Sequence, residues 1–144
     1  SVYSRFRKWI DAGVLDNIFR VLSLEAALEE LSLDASIVQA HQHSAGAKKR
    51  GPSSEIGHSR GGASTKIHAI VDAYGNPVYF MISEGQRNDI NFAIPLLKHV
   101  NLKGNNILAD RGYDSDKLID YIYEQGGEPT IPSRKGAKFE RHCD

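Results

Sequence analysis

The chain has 144 residues, 40% of them hydrophobic, and its 18 basic and 18 acidic side chains give a net charge of zero at pH 7. This length corresponds to about one domain, and the neutral total excludes a general electrostatic attraction to nucleic acid or membrane. The single cysteine, Cys143, excludes an internal disulfide and suits a reducing compartment, so we expect a cytoplasmic location. No apolar run reaches the roughly 20 residues of a membrane helix and no signal peptide is recognisable, so we expect no membrane partner.

The N-terminal part of the chain has a helical pattern. Apolar side chains recur every three or four positions over residues 2–22, which predicts two helical segments. We interpret the apolar face around Trp9 as a core or helix–helix contact. A short third helix is predicted over residues 24–31. Residues 1–30 are therefore interpreted as the helical tail of an N-terminal domain.

From Leu31 the hydrophobic period changes to two, which predicts a strand with an acid, Asp34, in its middle. One face carries Leu31, Leu33, Ala35 and Ile37, and the other carries Ser32, Asp34, Ser36 and Val38. Residues 41–63 are polar and rich in Gly, Ser, Lys and Arg, which indicates a loop. Two strands joined by the turn sequence Tyr74–Pro77 come next and predict a β-hairpin.

The second half of the chain is predicted to alternate helices and strands. The predicted elements are a helix near 90–99, a strand at 105–110, a helix capped by Asp114 that runs to about residue 125, and a strand at 128–133. Three early strands that pair antiparallel, followed by parallel crossovers, predict an α/β fold: a mixed sheet with flanking helices, preceded by a short helical segment.

Two acids of this predicted sheet are candidates for one site. The first strand is expected to be central and the strand ending on Asp110 to lie beside it, about 5 Å away, so Asp34 and Asp110 can meet where open α/β sheets bind ligands. Two close carboxylates stay ionised together only with a cation between them, and hard oxygen ligands suit Mg²⁺ or Mn²⁺. The alternative is that Asp110 is a loop acid or a helix cap.

The chain resembles the bacterial insertion-sequence transposases of the DDE class in three blocks, LSLDASIVQAHQHSAGAKK, SRGGASTKIHAIVDAYGNPVYFMISEGQRNDI and ILADRGYDSDKLID. The resemblance covers about residues 2–135. It implies a ribonuclease H-like catalytic domain over residues 31–144, Mg²⁺-dependent DNA strand cleavage and strand transfer, and transposon ends and target DNA as partners. Carried over, Asp34 and Asp110 match the first two catalytic and metal-binding acids. We also expect self-association.

The third acid of that family, a Glu on a helix well after the second Asp, has no match in this sequence. Only 34 residues follow Asp110, and Glu124, Glu128 and Glu140 are not in the matching context. We therefore expect a C-terminally incomplete fragment that is inactive alone. The alternatives are a non-catalytic DNA-binding or oligomerisation remnant, and another ribonuclease H-like nuclease.

Basic residues indicate a DNA-contacting surface despite the neutral total. Between His41 and His68 the local charge is +4. Contacts to DNA phosphates are predicted for Lys48, Lys49, Arg50, Arg60, Arg87 and Arg111; a solvated loop is the alternative for those in 41–63. His41 and His43, with His58, His68 or Cys143 as a further ligand, match no common zinc spacing. No Ser-His-Asp arrangement is recognised.

Overall fold

The computed structural model of the chain describes residues 1–23, 29–41 and 56–136. Two helices begin it, α1 (Val2–Asp11) and α2 (Val14–Ser23), as the periodicity predicts.

The two N-terminal helices lie largely outside the core. Trp9 is 50% exposed, so the apolar face around it is not a core face, although α1 contacts α2. Phe19 of α2 packs edge-on against Phe80, with ring centroids 5.4 Å apart. This aromatic contact attaches α2 to the sheet.

The rest of the described chain forms one mixed sheet of six strands with two further helices. These elements are β1 (Glu30–Gln39), β2 (Gly57–Ser59), β3 (Gly62–Asp72), β4 (Pro77–Glu84), α3 (Ile90–Leu97), β5 (Asn106–Ala109), α4 (Asp116–Glu124) and β6 (Glu128–Thr130).

Strand β1 lies at the centre of this sheet. It pairs antiparallel with β3 on one side and parallel with β5 on the other, and β5 pairs parallel with β6. Strands β2 and β4 both pair with β3, antiparallel to it. The predicted α/β fold class is confirmed: a mixed sheet of antiparallel strands followed by parallel ones, with flanking helices.

Two elements differ from the prediction near the polar segment. The predicted loop 41–63 contains β2 and the start of β3, which its Gly-rich composition concealed. The predicted helix 24–31 is wrong at its end, because β1 begins at Glu30; residues 24–28 lie outside the described residues.

The start of α4 also differs from the prediction. Ser115 rather than Asp114 precedes its first residue, and Ser115 makes no side-chain cap bond. The Asp114 carboxylate instead accepts a hydrogen bond from the Arg134 backbone N–H at 2.8 Å. A contact between residues this far apart in sequence therefore replaces the local cap.

The alternation of β1 separates a buried face of the sheet from a polar one, as predicted. Leu31 and Leu33 are 0% and 3% exposed, whereas Asp34 is exposed. Helices α3 and α4 contribute the other half of the core on the Leu31 side. Each fully buried Leu or Ile there contributes about 1.5–3 kcal/mol; the largest are Leu31, Ile70, Leu96, Leu97, Ile107, Leu118, Ile122 and Ile131.

The predicted hairpin between β3 and β4 is confirmed, and its turn is stabilised by Asp72. The Asp72 Oδ1 atom accepts backbone hydrogen bonds from Tyr74 at 3.0 Å and Asn76 at 2.8 Å. Gly75 has a φ of 82°, a conformation that other residues rarely adopt. The turn therefore depends on the residue types at these positions.

Candidate metal centre at the end of the parallel strands

The register between β1 and β5 brings Asp34 and Asp110 together. The parallel pairing ends with Leu33 opposite Ala109, and the next residue on each strand is Asp34 and Asp110. Residues at one level of neighbouring strands point to the same face, with backbones about 5 Å apart. The register therefore sets Asp34 and Asp110 at one level of the sheet, on the face opposite the α3 and α4 helices.

Asp34 is exposed because β1 extends beyond the end of its neighbour β5. Strand β5 ends at Ala109, whereas β1 continues to Gln39 along β3 alone. An acid in the middle of β1 thus stands at an open end of the parallel pair and keeps access to solvent. Burial of an unpaired carboxylate in mid-strand would be costly, and this geometry avoids it.

Each carboxylate uses one oxygen in a local hydrogen bond. Asp34 Oδ1 accepts from the Ala35 backbone N–H at 2.7 Å. Asp110 Oδ1 accepts from the Gly112 N–H at 2.8 Å and thereby caps the short 3₁₀ turn Arg111–Tyr113. A side chain at Gly112 would bring its Cβ 2.9 Å from the same oxygen, so glycine allows this close approach. Asp110 can cap this turn through Oδ1 and also bind a cation, because its Oδ2 atom is still available.

The donor chemistry of this pair fits a hard divalent cation. Two adjacent carboxylates repel each other unless a cation lies between them, and oxygen ligands suit Mg²⁺ or Mn²⁺. Within residues 1–23, 29–41 and 56–136 no group of three or more His, Cys, Asp or Glu side chains is arranged to hold a metal ion. In that part of the chain the candidate centre thus consists of Asp34 and Asp110.

Tyr113 reaches the same end of the sheet from the core side. Its side chain is 3% exposed, and its hydroxyl has no hydrogen-bond partner among the described residues. Burial raises the pKa of Tyr113 well above its usual value of 10.0, and the charges of Asp89, Asp34 and Asp110 raise it further. The hydroxyl is therefore within electrostatic reach of three carboxylates. Because its ring is buried, Tyr113 offers no face on which a DNA base could stack.

A partly buried polar network around Lys66 and Asp89 was not recognised in the sequence. Lys66 Nζ lies 2.8 Å from Asp89 Oδ1 and donates to the Arg87 carbonyl at 2.9 Å. The ammonium is not aligned as a hydrogen-bond donor to Asp89, but an ion pair does not need that alignment. The network joins β3 to the residue that precedes α3. Its partners are too distant in sequence to form a recognisable motif.

The structure also places Ser83, His68 and Asp89 in the order of a Ser-His-Asp arrangement, which the sequence analysis did not recognise. The hydroxyl of Ser83 lies 2.8 Å from His68 Nε2, and His68 Nδ1 lies 3.5 Å from Asp89 Oδ1. His68 is fully buried and stacks on Phe92, with ring centroids 4.1 Å apart. Desolvation lowers its pKa, with Lys66 adding to this and Asp89 opposing it. A substrate cannot reach this imidazole, so the arrangement is structural.

The predicted DNA-contacting residues are only partly described. Arg60, Arg87 and Arg111 are exposed, and Arg87 Nε lies 3.3 Å from Glu84 Oε2. Three others, Lys48, Lys49 and Arg50, lie outside the described residues, as do His43 and Cys143 of the zinc alternative.

Across the described part of the chain, every helix is too short or too polar to span a bilayer.

Comparison with known proteins identifies the relatives of the chain. Residues 26–142 match the family described as the transposase DDE domain. The chain is 29% identical over 100 residues to a Burkholderia cepacia protein named as a transposase for insertion sequence element IS402, covering 62% of this chain and 46% of that protein. It is 40% identical over 60 residues to a Brucella ovis protein named as a transposase for element IS6501, covering 41% of this chain and 45% of that one.

A Sinorhizobium fredii protein of uncharacterised function, y4sN, is 51% identical over 49 residues, which are 34% of this chain and 39% of that protein. The chain thus spans less than half the length of these curated relatives.

Two solved transposase complexes are similar to the chain. One is a piggyBac transposase synaptic complex with hairpin DNA, with 20% identity, a TM-score of 0.48, and coverage of 76% of this chain and 24% of that one. The other is a Mos1 transposase paired-end complex with the left transposon end, with 11% identity, a TM-score of 0.46, and coverage of 79% and 38%. The match over residues 26–142 shows that the chain belongs to the DDE transposase family.

Proposed function

We propose that this chain forms the part of a transposase catalytic domain that carries its first two metal-binding acids, Asp34 and Asp110. The whole protein would cleave DNA strands and join the freed 3′ ends to target DNA. The observation that supports this most is the parallel register of β1 and β5, which sets the two carboxylates on one face where β5 ends. The catalytic domain would span residues 31–144, follow a helical tail over 1–30, and act in the cytoplasm.

The two carboxylates would hold Mg²⁺ or Mn²⁺ through their Oδ2 atoms. Each Oδ1 already accepts a backbone N–H, from Ala35 or from Gly112, and these bonds orient the side chains before a ligand arrives. A cation bound there would stabilise negative charge on a phosphate oxygen and lower the pKa of a bound water. Asp34 and Asp110 would thus hold the cation in position for phosphodiester cleavage.

The DNA partners proposed are transposon ends and target DNA, with further copies of the chain in the same assembly. Arg60, Arg87 and Arg111 would contact backbone phosphates, because they are exposed cations and such contacts supply affinity without reading sequence. Lys48, Lys49 and Arg50 belong to the same proposal on sequence alone.

A second candidate function is DNA binding without cleavage. The observation that favours it is the size of the candidate centre, which has two carboxylates and no third ligand within residues 1–23, 29–41 and 56–136. A two-metal site holds two ions about 3.5–4 Å apart, and each Mg²⁺ takes an octahedral set of oxygen ligands, of which two carboxylates supply few. In this case the chain would bind DNA or other copies of itself through its basic residues.

Calorimetric titration with Mn²⁺ tests the metal centre directly. The natural chain is expected to bind Mn²⁺, and Asp34→Asn or Asp110→Asn is expected to remove that binding. Asp120→Asn, a change at an exposed acid of α4, is the matched control and should leave binding unchanged. Equal binding in all four proteins, or none in the natural chain, would refute the centre.

A nicking assay in Mn²⁺ on supercoiled DNA separates the two candidate functions. Metal-dependent nicking that Asp34→Asn abolishes supports catalysis by this chain. Salt-sensitive DNA binding without any nicking supports the second candidate.

A further inference from the structure

We propose that Arg134 is a positioning residue of the Asp34–Asp110 centre. Its guanidinium donates a hydrogen bond to the Gly112 carbonyl and so holds the 3₁₀ turn that orients the Asp110 carboxylate for a divalent cation. The inference rests on the proposed metal centre. It concerns a side chain that acts through this turn rather than a direct ligand.

The 3₁₀ turn fixes the orientation of the Asp110 carboxylate. The Gly112 N–H donates to Asp110 Oδ1 at 2.8 Å, and the Tyr113 N–H donates to the Asp110 carbonyl at 3.1 Å. The side-chain conformation of Asp110 is therefore tied to the position of one backbone N–H group. If that group moved, Oδ1 would be released and the carboxylate could rotate, which would also redirect Oδ2.

A turn this short needs support from elsewhere in the fold. The hydrogen bonds of 3₁₀ turns have poorer geometry than those of α-helices, and Arg111 and Gly112 are both exposed. The buried ring of Tyr113 anchors one end of the turn in the core. Because Gly112 is exposed and has no side chain, core packing does not fix it in the same way.

Arg134 supplies this support from a distant part of the sequence. Its Nη2 atom donates to the Gly112 carbonyl at 3.2 Å, and its backbone N–H donates to Asp114 Oδ2 at 2.8 Å. One residue thus bonds both to the middle of the turn and to the residue that follows it. The guanidinium keeps its charge at any pH at which proteins fold, and a charged donor makes a stronger hydrogen bond than a neutral one.

The sheet topology brings Arg134 to this position. Strand β6 pairs parallel with β5, with Thr130 opposite Leu108, so the chain leaves both strands at the same end of the sheet. Ile131 is 1% exposed and anchors the chain directly after β6, and Pro132 restricts the backbone that follows. Arg134 therefore reaches the turn on a segment that is itself held in place.

The expected effect of this support is on metal affinity. Groups that orient metal ligands from outside the first shell typically change the affinity 10–100-fold when they are mutated. The Gly112 N–H is such a group for Asp110, and Arg134 acts one hydrogen bond further out. We therefore expect an effect at the lower end of that range.

The test is calorimetric titration of Arg134→Met with Mn²⁺, with Lys135→Met as the matched control. Methionine removes the guanidinium donor and retains the backbone bond to Asp114, whereas Lys135→Met removes an exposed cation at the next position. We expect Arg134→Met to bind Mn²⁺ about 10-fold more weakly, with a melting temperature in EDTA close to that of the natural chain. Lys135→Met should bind as the natural chain does. Unchanged affinity in Arg134→Met, or equal weakening in both variants, would overturn the proposal.

The variant Arg134→Lys tests whether the hydrogen bond is the cause. The guanidinium donates one described bond to Gly112, so a lysine ammonium can donate to the same carbonyl. We expect this variant to recover most of the affinity that Arg134→Met loses. A lysine variant that binds as weakly as the methionine variant would overturn the proposal. The titrations contain no DNA, so a contact of Arg134 with a phosphate cannot affect them.

The exchange of the Gly112 N–H with water, followed by NMR in EDTA, tests the inference without any metal. We expect this N–H to lose protection in Arg134→Met and to keep it in Lys135→Met. Unchanged exchange in Arg134→Met refutes the inference alone. Absence of Mn²⁺ binding in the natural chain refutes the proposed metal centre and the inference with it, so the two failures are distinguishable.

Discussion

Lys66 Nζ lies 2.8 Å from Asp89 Oδ1, and this ion pair joins the middle of β3 to the residue that precedes α3. The side chains are 11% and 34% exposed, so the lysine is nearly removed from water. The pair leaves the first turn of α3 without a side-chain cap from Asp89. The Asp89 carboxylate, which its position before α3 would suit as a helix cap, thus pairs with Lys66 instead.

The first prediction concerns the stability of this pair. Lys66→Met leaves Asp89 without its cation, and removal of one partner of a buried pair costs about 3–5 kcal/mol. Because Asp89 is 34% exposed, we expect a smaller loss, about 2 kcal/mol in the free energy of unfolding measured with urea.

The matched control for Lys66→Met is Arg7→Met, which breaks the exposed Arg7–Asp11 pair, 3.9 Å apart with side chains 56% and 67% exposed. Exposed pairs contribute about 0–1 kcal/mol, so this variant should unfold at nearly the natural urea concentration. Equal losses in both variants would contradict a special role for Lys66.

The second prediction is a pH dependence of stability that originates at His68. Desolvation lowers the pKa of the buried His68 below its ordinary value of 6.5. Below pH 6.5 the unfolded chain therefore binds a proton that the folded chain does not, and stability falls as the pH decreases. The contribution is fully present above pH 6.5, and its slope cannot exceed about 1.4 kcal/mol per pH unit for one group.

Urea unfolding between pH 5 and 8 measures this dependence. The variant His68→Gln retains a partner for Ser83 and should have a shallower slope between pH 5 and 6.5 than the natural chain. His58→Gln, a change at an exposed histidine of β2, should leave the slope as it is. If the natural chain and His68→Gln lose the same stability as the pH falls from 6.5 to 5, the buried neutral imidazole is not the cause of the pH dependence.

The third prediction separates stability from metal binding at the candidate centre. Asp34→Asn removes repulsion from Asp110, so in EDTA the variant should be more stable than the natural chain, by roughly 0.5 kcal/mol as for other surface charge changes. Added Mn²⁺ should raise the melting temperature of the natural chain, because a ligand bound only by the folded state stabilises it. The same addition should not affect the variant.

Asp110→Asn should behave in the same way, because asparagine retains the cap to the Gly112 N–H. Differential scanning calorimetry with and without Mn²⁺ measures both effects. Destabilisation of both variants in EDTA would show that the acids serve the fold rather than a ligand.

Much of the sheet could be predicted from the sequence, because its strands alternate or are short and apolar. The two-residue period of β1 correctly assigned Asp34 to the face opposite Leu33, and the end of β5 was placed at Asp110. Their side-by-side register follows from the pairing of Leu33 with Ala109, which a single sequence does not contain. Register is decided by packing between strands that are distant in the chain.

The features that were missed all depend on contacts between distant residues or on weak local signals. The ion pair of Lys66 with Asp89 and the burial of Tyr113 become visible only when β3, α3 and the 3₁₀ turn come together. Strand β2 has three polar or small residues, Gly57–Ser59, and no alternation to mark it. The start of α4 was shifted because Asp114 binds the Arg134 N–H instead of capping the helix.

The last prediction concerns DNA binding by the β2–β3 turn. Arg60 lies in this turn and is exposed, next to a groove lined by residues that include His58, Gln39 and Gln86. If Arg60 contacts a phosphate, Arg60→Ala should weaken binding of a DNA duplex uniformly across sequences. The slope of log K against log salt should become smaller in magnitude by about 1, because one fewer counterion is released.

Lys103→Ala is the control. It removes an exposed cation before the start of β5, at the end of the strand away from Asp110, so it should leave the slope unchanged. Fluorescence anisotropy at several salt concentrations measures both slopes, and equal slopes in the two variants would exclude Arg60 from the DNA interface.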